Sequence, residues 1–159
     1  MLVSLVAISL YITIRFDKKY ALFALLALFH DLLIVFGIFS WLGILLSVEV
    51  NSLFAVSLLT IAGYSVNDTV VIFDRIRENL KSNKRGYNET IQLSVNESFR
   101  RTTFTSITTL FPLLSIIIFG SYSLFWFSLA LSLGILVGSY SSILLAPSFL
   151  LKDLSLIHI

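Results

Sequence analysis

The sequence predicts an all-α, polytopic membrane helix bundle, and three observations carry that prediction. Of the 159 residues, 57% are hydrophobic and 13% charged, about half the charged share of a soluble domain, and the mean hydropathy is +0.96. The apolar residues fall in runs long enough for a bilayer core of about 30 Å, without the alternation of barrel strands. The basic residues cluster in alternate connections between those runs, the charge asymmetry of a multi-pass protein. A soluble domain of this size leaves roughly a third of its unfolded area wet and has no place for so much apolar surface. Disorder is excluded by the same excess. The absence of cysteine excludes a disulfide scaffold and a Cys-based metal or redox site, and a net charge of +2 gives no pointer to nucleic acid.

Five spans are expected: residues 1–14, 20–47, 52–73, 102–119 and 124–151. The second is long enough to cross with tilt. Arg15, Lys18 and Lys19 lie between spans one and two. Arg75, Arg77, Lys81, Lys84, Arg85, Arg100 and Arg101 lie between spans three and four, and Lys152 follows span five. The connections Val48–Asn51 and Gly120–Ser123 contain no Lys or Arg. The positive-inside rule therefore places the basic regions and the C-terminus in the cytoplasm, and the N-terminus outside. Met1–Ile14 lacks the basic leader and cleavage site of a signal peptide. An outside N-terminus within an apolar run reads as a fragment, preceded by a further span and an external domain. The tail Ser155–Ile159 reads as adapter sequence, so His158 carries no argument.

The cytoplasmic loop 74–101 is the one sizeable polar segment. Asp74–Lys81 is expected to continue helix three into water, with i, i+3 pairs Asp74–Arg77 and Glu78–Lys81. Asn83–Gly86 reads as a turn. Asn88–Phe99 reads as an amphipathic surface helix with Ile91, Val95 and Phe99 on one stripe. Glu49 falls in an external turn and needs no special role.

His30, Asp31 and Asp68 lie where lipid should be. An unpaired carboxylate near the bilayer centre costs at least about 2.5–3.5 kcal/mol, so each must face protein or water, pair, or take up a proton. Asp68 lies about 9 Å inside Asp74 at helical rise. Ser57, Thr60, Tyr64 and Asp68 are expected to share one face of span three, with Gly63 and Asn67 beside it. A polar face edged by a small residue implies helix packing or a wet cavity. Arg101 opens span four on the same membrane side and is expected near the depth of Asp68, or slightly shallower. Burial favours the protonated acid, while a nearby cation favours the carboxylate. Separating the two would load a proton and joining them would release it; a static ion pair fixing helix packing is the other reading.

His30 and Asp31 lie about 15 Å into span two and point some 100° apart, so a directly shared partner is not expected. A buried polar patch bonded to a neighbouring helix is the favoured reading over a second proton site. Span five carries a small residue at every fourth position: Ala130, Gly134, Gly138, Ser142 and Ala146. Such a stripe lets backbones approach closely. No Ser/His/Asp set, nucleotide loop or metal-ligand cluster is visible in the sequence, so neither an enzyme nor a cofactor or metal site is expected.

The run Gly63-Tyr64-Ser65-Val66-Asn67-Asp68-Thr69-Val70-Val71-Ile72-Phe73-Asp74-Arg75-Ile76-Arg77-Glu78-Asn79 resembles the signature of the SecF branch of the SecD/SecF family of protein-export membrane subunits. His30-Asp31 is similar to that family's His-Asp pair. Arg100-Arg101-Thr102 with Thr105-Ser106 resembles the start of its fifth helix, and Asn67-Asp68-Thr69 looks like the SecF rather than the SecD form of the motif. The resemblance covers Leu2 to Lys152. It implies membership of the resistance-nodulation-division superfamily, whose members have six helices and a large external domain between the first and second. This chain would hold helices two to six, in a plasma (inner) membrane. The implied function is coupling of the proton-motive force to preprotein export, with a SecD-type subunit and the SecYEG channel as partners. By motif match Asp68 looks like the family's membrane carboxylate and Arg101 like its basic counterpart. Asn67, Thr69, His30 and Asp31 support the motif, and Gly63, Gly134 and Gly138 serve helix packing. The alternative is the membrane half of a proton-driven small-molecule or lipid exporter of the same superfamily.

Overall fold

The computed structural model describes residues 2–48, 51–82 and 86–157. Its elements are α1 (Leu2–Arg15), α2 (Lys18–Leu46), α3 (Ser52–Ser82), α4 (Tyr87–Phe119), α5 (Tyr122–Tyr140), a π-helical turn (Ser141–Leu145) and α6 (Ala146–Ile157). Among the described residues, four stretches are long and apolar enough to cross a membrane: α2, α3, α4, and the run from Tyr122 to Lys152 through the π turn. The first expected span, α1, has only 14 residues. Large apolar side chains such as Phe29, Trp41, Ile44, Phe111 and Phe119 face outward, as lipid contact requires and water does not reward. The chain is a multi-pass membrane protein.

Local chemistry explains the helix ends. Ser47 closes α2 in the left-handed conformation, with φ 52°. The Asn51 side-chain oxygen accepts from the N–H groups of Leu53 (3.0 Å) and Phe54 (3.2 Å), satisfying two orphan donors at the start of α3. Pro147 has no N–H, and its ring conflicts with the carbonyl four residues back. The π turn precedes it, and the Ala146 N–H reaches five residues back to the Ser141 carbonyl. That wider turn admits the proline without ending the helix.

α3 is the central helix and packs on α1, α2, α4, α5 and the π turn. One apolar cluster joins Phe16, Ala24, Ala27, Leu28, Phe73, Ile76 and Ile91; a second joins Val35, Phe39, Phe54, Ile61, Leu131 and Ile135. Asp31 and Ser65 sit on α2 and α3 between the two. The basic ends of α1 and α3 meet, with Arg15 paired to Asp74 at 2.6 Å and Phe16 edge-on to Phe73.

Several expectations need correction. Residues 88–99 and 102–119 form one helix, α4, rather than a surface helix and a separate span. Nothing between Phe99 and Thr102 breaks a helix, and the paired arginines only change its surroundings. The expected stripe buries Ile91 but leaves Phe99 half exposed, while Thr90, Ser94 and Ser98 turn inward. In place of Asp74–Arg77 and Glu78–Lys81, the structure pairs Arg15 with Asp74, and Arg75 with both Glu78 (2.8 Å) and Glu97 (2.6 Å). Asn79 donates to Ser94 (3.0 Å) and to Glu97 (2.9 Å), so the α3–α4 hairpin is tied by side chains. Glu49, residues 83–85 of the expected turn, and residues 158–159 lie outside the described residues, as do the side chains of Ser155–Ile157.

Candidate functional site

Asp68 lies in the middle of α3 and is 5% exposed. Its Oδ2 is buried and has no hydrogen-bond partner among the described residues. Arg101, exposed on α4, is the cation whose charge acts on it. None of the ion pairs among the described residues joins the two. The structure thus brings Arg101 into electrostatic range without contact, and the static ion pair is not the arrangement seen.

The neighbours of Asp68 diverge. Asn67 faces outward, whereas Thr69 is buried and its hydroxyl bonds that of Ser142 in the π turn at 3.1 Å. The face expected for Asp68 is also redrawn. Ser57, Ile61, Ser65, Asp68, Thr69 and Ile72 point inward, but Thr60 is exposed with Gly63 and Asn67. α3 carries polar residues nearly all round, so its own period could not choose a face. Gly63 has nothing within 4 Å of where its Cβ would be, so no close approach among the described residues requires a glycine there.

The other two glycines do serve close packing. A Cβ on Gly134 would overlap the Ile61 side chain, and one on Gly138 would lie 3.2 Å from the Ser65 Cβ and 3.7 Å from Asp31 Oδ2. Ala130, Gly134, Gly138, Ser142 and Ala146 are all buried, as the small-residue stripe predicts.

Asp31 is fully buried. Its Oδ2 accepts hydrogen bonds from Ser65 Oγ (2.5 Å) and Ser141 Oγ (2.7 Å). The expected patch bonded to a neighbouring helix is therefore present, built from α2, α3 and the π turn. One detail differs: His30 Nδ1 lies 3.1 Å from Asp31 Oδ1. The two Cβ positions diverge, yet the imidazole folds back far enough to meet its neighbour. A second hydroxyl chain links Tyr64 to Ser106 (3.0 Å) and Ser106 to Ser139 (2.5 Å), joining α3, α4 and α5. Ser139 and Ser141 stand outside every motif in the sequence, and Ser65 belongs only to the Gly63–Asn79 run. The available signal was the i, i+4 spacing of Ser65 and Thr69 on the inward side of Asp68.

The family model for the C-terminal part of the SecD/SecF protein export membrane proteins matches residues 1–155. The chain belongs to that family. It is 58% identical over 151 residues to the protein translocase subunit SecF of Prochlorococcus marinus, covering 94% of this chain and 47% of that protein. The Synechocystis protein translocase subunit SecF is 48% identical over 149 residues, covering 93% of this chain and 47% of the relative. The crystal structure of SecDF from Thermus thermophilus, described as a translocon-associated membrane protein, superposes with a TM-score of 0.86 at 40% identity. That match covers 92% of this chain and 20% of the other. The chain thus spans about half the length of the curated relatives it matches.

Proposed function

We propose that this chain is the membrane half of a SecF-type subunit that couples the proton-motive force to preprotein export, with Asp68 as the group that takes up and releases protons beside Arg101. The observation that carries the reading is a buried carboxylate with an unpartnered oxygen, in range of a cation on another helix and not paired to it. An uncompensated charge there is costly. Approach of Arg101 stabilises the carboxylate, and withdrawal stabilises the acid. A relative movement of α3 and α4 is thereby tied to proton uptake and release. No covalent chemistry is involved, so the subunit is a transducer and not an enzyme.

The names of the relatives favour protein export over small-molecule or lipid export. The match to SecDF supports a SecD-type partner, with the SecYEG channel and the preprotein completing the assembly. A first helix and an external domain would belong to the remaining half of the subunit. The basic ends of α1 and α3 would face the cytoplasm in the plasma membrane, with residue 1 outside.

The test is a chimera in which this chain replaces the matching half of a full-length relative, with the SecD-type partner present. Asp68→Asn is expected to abolish proton-driven preprotein export from membrane vesicles while the subunit still copurifies with its partner. Undiminished export in that variant would sink the reading.

A further inference from the structure

We propose that Asp31 is a positioning residue for Asp68: its Oδ2 fastens α3 to the π turn and so sets where the helix carrying Asp68 sits. The inference rests on the reading of Asp68 as the proton-carrying group.

Two bonds pin α3 on the inward side of Asp68. Ser65 donates to Asp31 Oδ2 at 2.5 Å, and Thr69 bonds Ser142 at 3.1 Å. Ser65 and Thr69 are four apart, so they lie on one face and bracket Asp68 in sequence. Their partners converge through the π turn. Ser141 donates to the same Asp31 oxygen at 2.7 Å, and Ser142 follows it directly. In a regular α-helix consecutive residues point about 100° apart. Here both serines are fully buried within the π turn, a local widening that recurs at functional sites. Gly138, one turn earlier, allows the approach that a Cβ at 3.2 Å from Ser65 would crowd. His30 Nδ1 holds the other oxygen, Oδ1, at 3.1 Å. The carboxylate is thereby fixed in rotation, with Oδ2 presented to the two serines.

α2, α3 and the π turn therefore form one block around Asp68. Arg101 stands outside it on α4, which at this level meets α3 through the neutral Tyr64–Ser106 contact and α5 through Ser106–Ser139, its charged ties to α3 lying at the basic end, where Glu97 bonds Arg75 and Asn79. Hydroxyl–hydroxyl contacts of this kind are weaker than bonds to a carboxylate. Displacement of α4 against the block changes the Asp68–Arg101 separation and leaves the Asp31 bonds intact. The charged and titratable groups around the block are few. α4 supplies Arg101, α2 supplies His30 and Asp31, and α1 supplies Tyr11 and Arg15, the latter paired with Asp74. α5 carries no Asp, Glu, Lys, Arg or His. His30, whose Nδ1 lies 3.1 Å from Asp31 Oδ1, is the titratable neighbour of Asp31.

The test uses the full-length chimera with its SecD-type partner in membrane vesicles, and reads the pH midpoint of proton-driven export at matched protein levels. The Ser65→Ala/Ser141→Ala double variant and Asp31→Ala are expected to move the midpoint by about one pH unit, because the block no longer sets where Asp68 sits relative to Arg101. Asp31→Asn is expected to restore the midpoint relative to Asp31→Ala, since its amide oxygen still accepts both hydroxyls. If Asp31→Ala does not accumulate, the double variant decides, because it removes only two buried oxygens. An unmoved midpoint in the double variant overturns the proposal. So does an Asp31→Asn variant as impaired as Asp31→Ala, which would assign Asp31 a proton-carrying role instead. Asp68→Asn runs in parallel: full export there overturns the reading of Asp68 itself, and this inference with it. Lost export there with an unmoved midpoint in the double variant overturns this inference alone.

Discussion

Ser141 donates a 2.7 Å hydrogen bond to Asp31 across 110 residues of sequence. Both groups are wholly buried, and the same carboxylate oxygen takes a second hydroxyl from Ser65. Three elements from distant parts of the chain thus meet on one atom. In a bilayer the apolar effect does little to hold helix to helix, so close packing and internal polar bonds assume that role. The junction lies between two apolar clusters and one helical turn from Asp68. Stability of the bundle and placement of its candidate proton site consequently depend on the same few hydroxyls.

Gly134 leaves no room for a side chain between α5 and Ile61 of α3. Gly134→Ala places a methyl group into the Ile61 side chain, and overpacking of this kind costs about 1–3 kcal/mol. The expected result is a lower unfolding midpoint in mixed micelles, recovered in part by adding Ile61→Ala. The same change at Gly63, where nothing lies within 4 Å, is expected to leave the midpoint of the isolated chain unaltered. Equal losses at both positions would contradict the packing described.

The polar ends of the helices offer a contrast between two kinds of bond. Asn79 is buried and bonds both Ser94 and Glu97. Asn79→Ala is expected to cost about 1–3 kcal/mol by leaving a buried hydroxyl short of a partner. The change should appear as faster amide hydrogen exchange over residues 90–97. The Arg15–Asp74 pair is short but substantially exposed, at 43% and 38%. Arg15→Gln should therefore shift stability by no more than about 1 kcal/mol, with exchange in α4 unchanged.

Arg101 separates charge from geometry. It makes no ion pair with Asp68, so no bidentate bond is lost when it is replaced by lysine. Arg101→Lys is expected to retain a measurable part of proton-driven export in the chimera. Arg101→Met should lose it, with both proteins present at normal levels. Equal activity in the two variants would remove Arg101 from the proposed mechanism.

The parts of this fold that follow from local composition were legible in the sequence. Hydropathy runs locate α2, the start of α3 and the Tyr122–Lys152 stretch within a few residues, because burial in lipid needs only length and apolarity. What failed required knowledge of neighbours. Arg100 and Arg101 mark a change of surroundings, and a helix passes through such a change unless a breaker intervenes. Thr60 and Ser65 are equally polar, and only the positions of α2 and α5 decide which turns inward. Helical geometry separates the Cβ atoms of His30 and Asp31, yet the length of the imidazole closes that gap. Pro147 was a visible sign of irregular backbone just before it. Asp68 stood out because a membrane charge is expensive wherever its partner lies, whereas Ser65 and Ser141 have ordinary residue types and acquire meaning only from Asp31.

The chain contains no cysteine, so its orientation can be read with single introduced thiols. Ser82 ends α3 at the basic side of the bundle, and Ser121 lies in the short connection between α4 and α5 at the opposite end. Both are exposed, and neither carries a bond that the fold needs. If the basic ends face the cytoplasm, Ser121→Cys in the chimera should react with a membrane-impermeant maleimide added to intact spheroplasts. Ser82→Cys should react only after permeabilisation. The connections themselves make the outcome sharp: Gly120–Ser123 has no basic residue, while Arg75, Arg77 and Lys81 lie in the last two turns of α3. The cytoplasmic retention of such charges is what orients multi-pass chains. The reverse labelling pattern would invert the topology, and with it the side from which Asp68, a few turns in from Ser82, exchanges its proton.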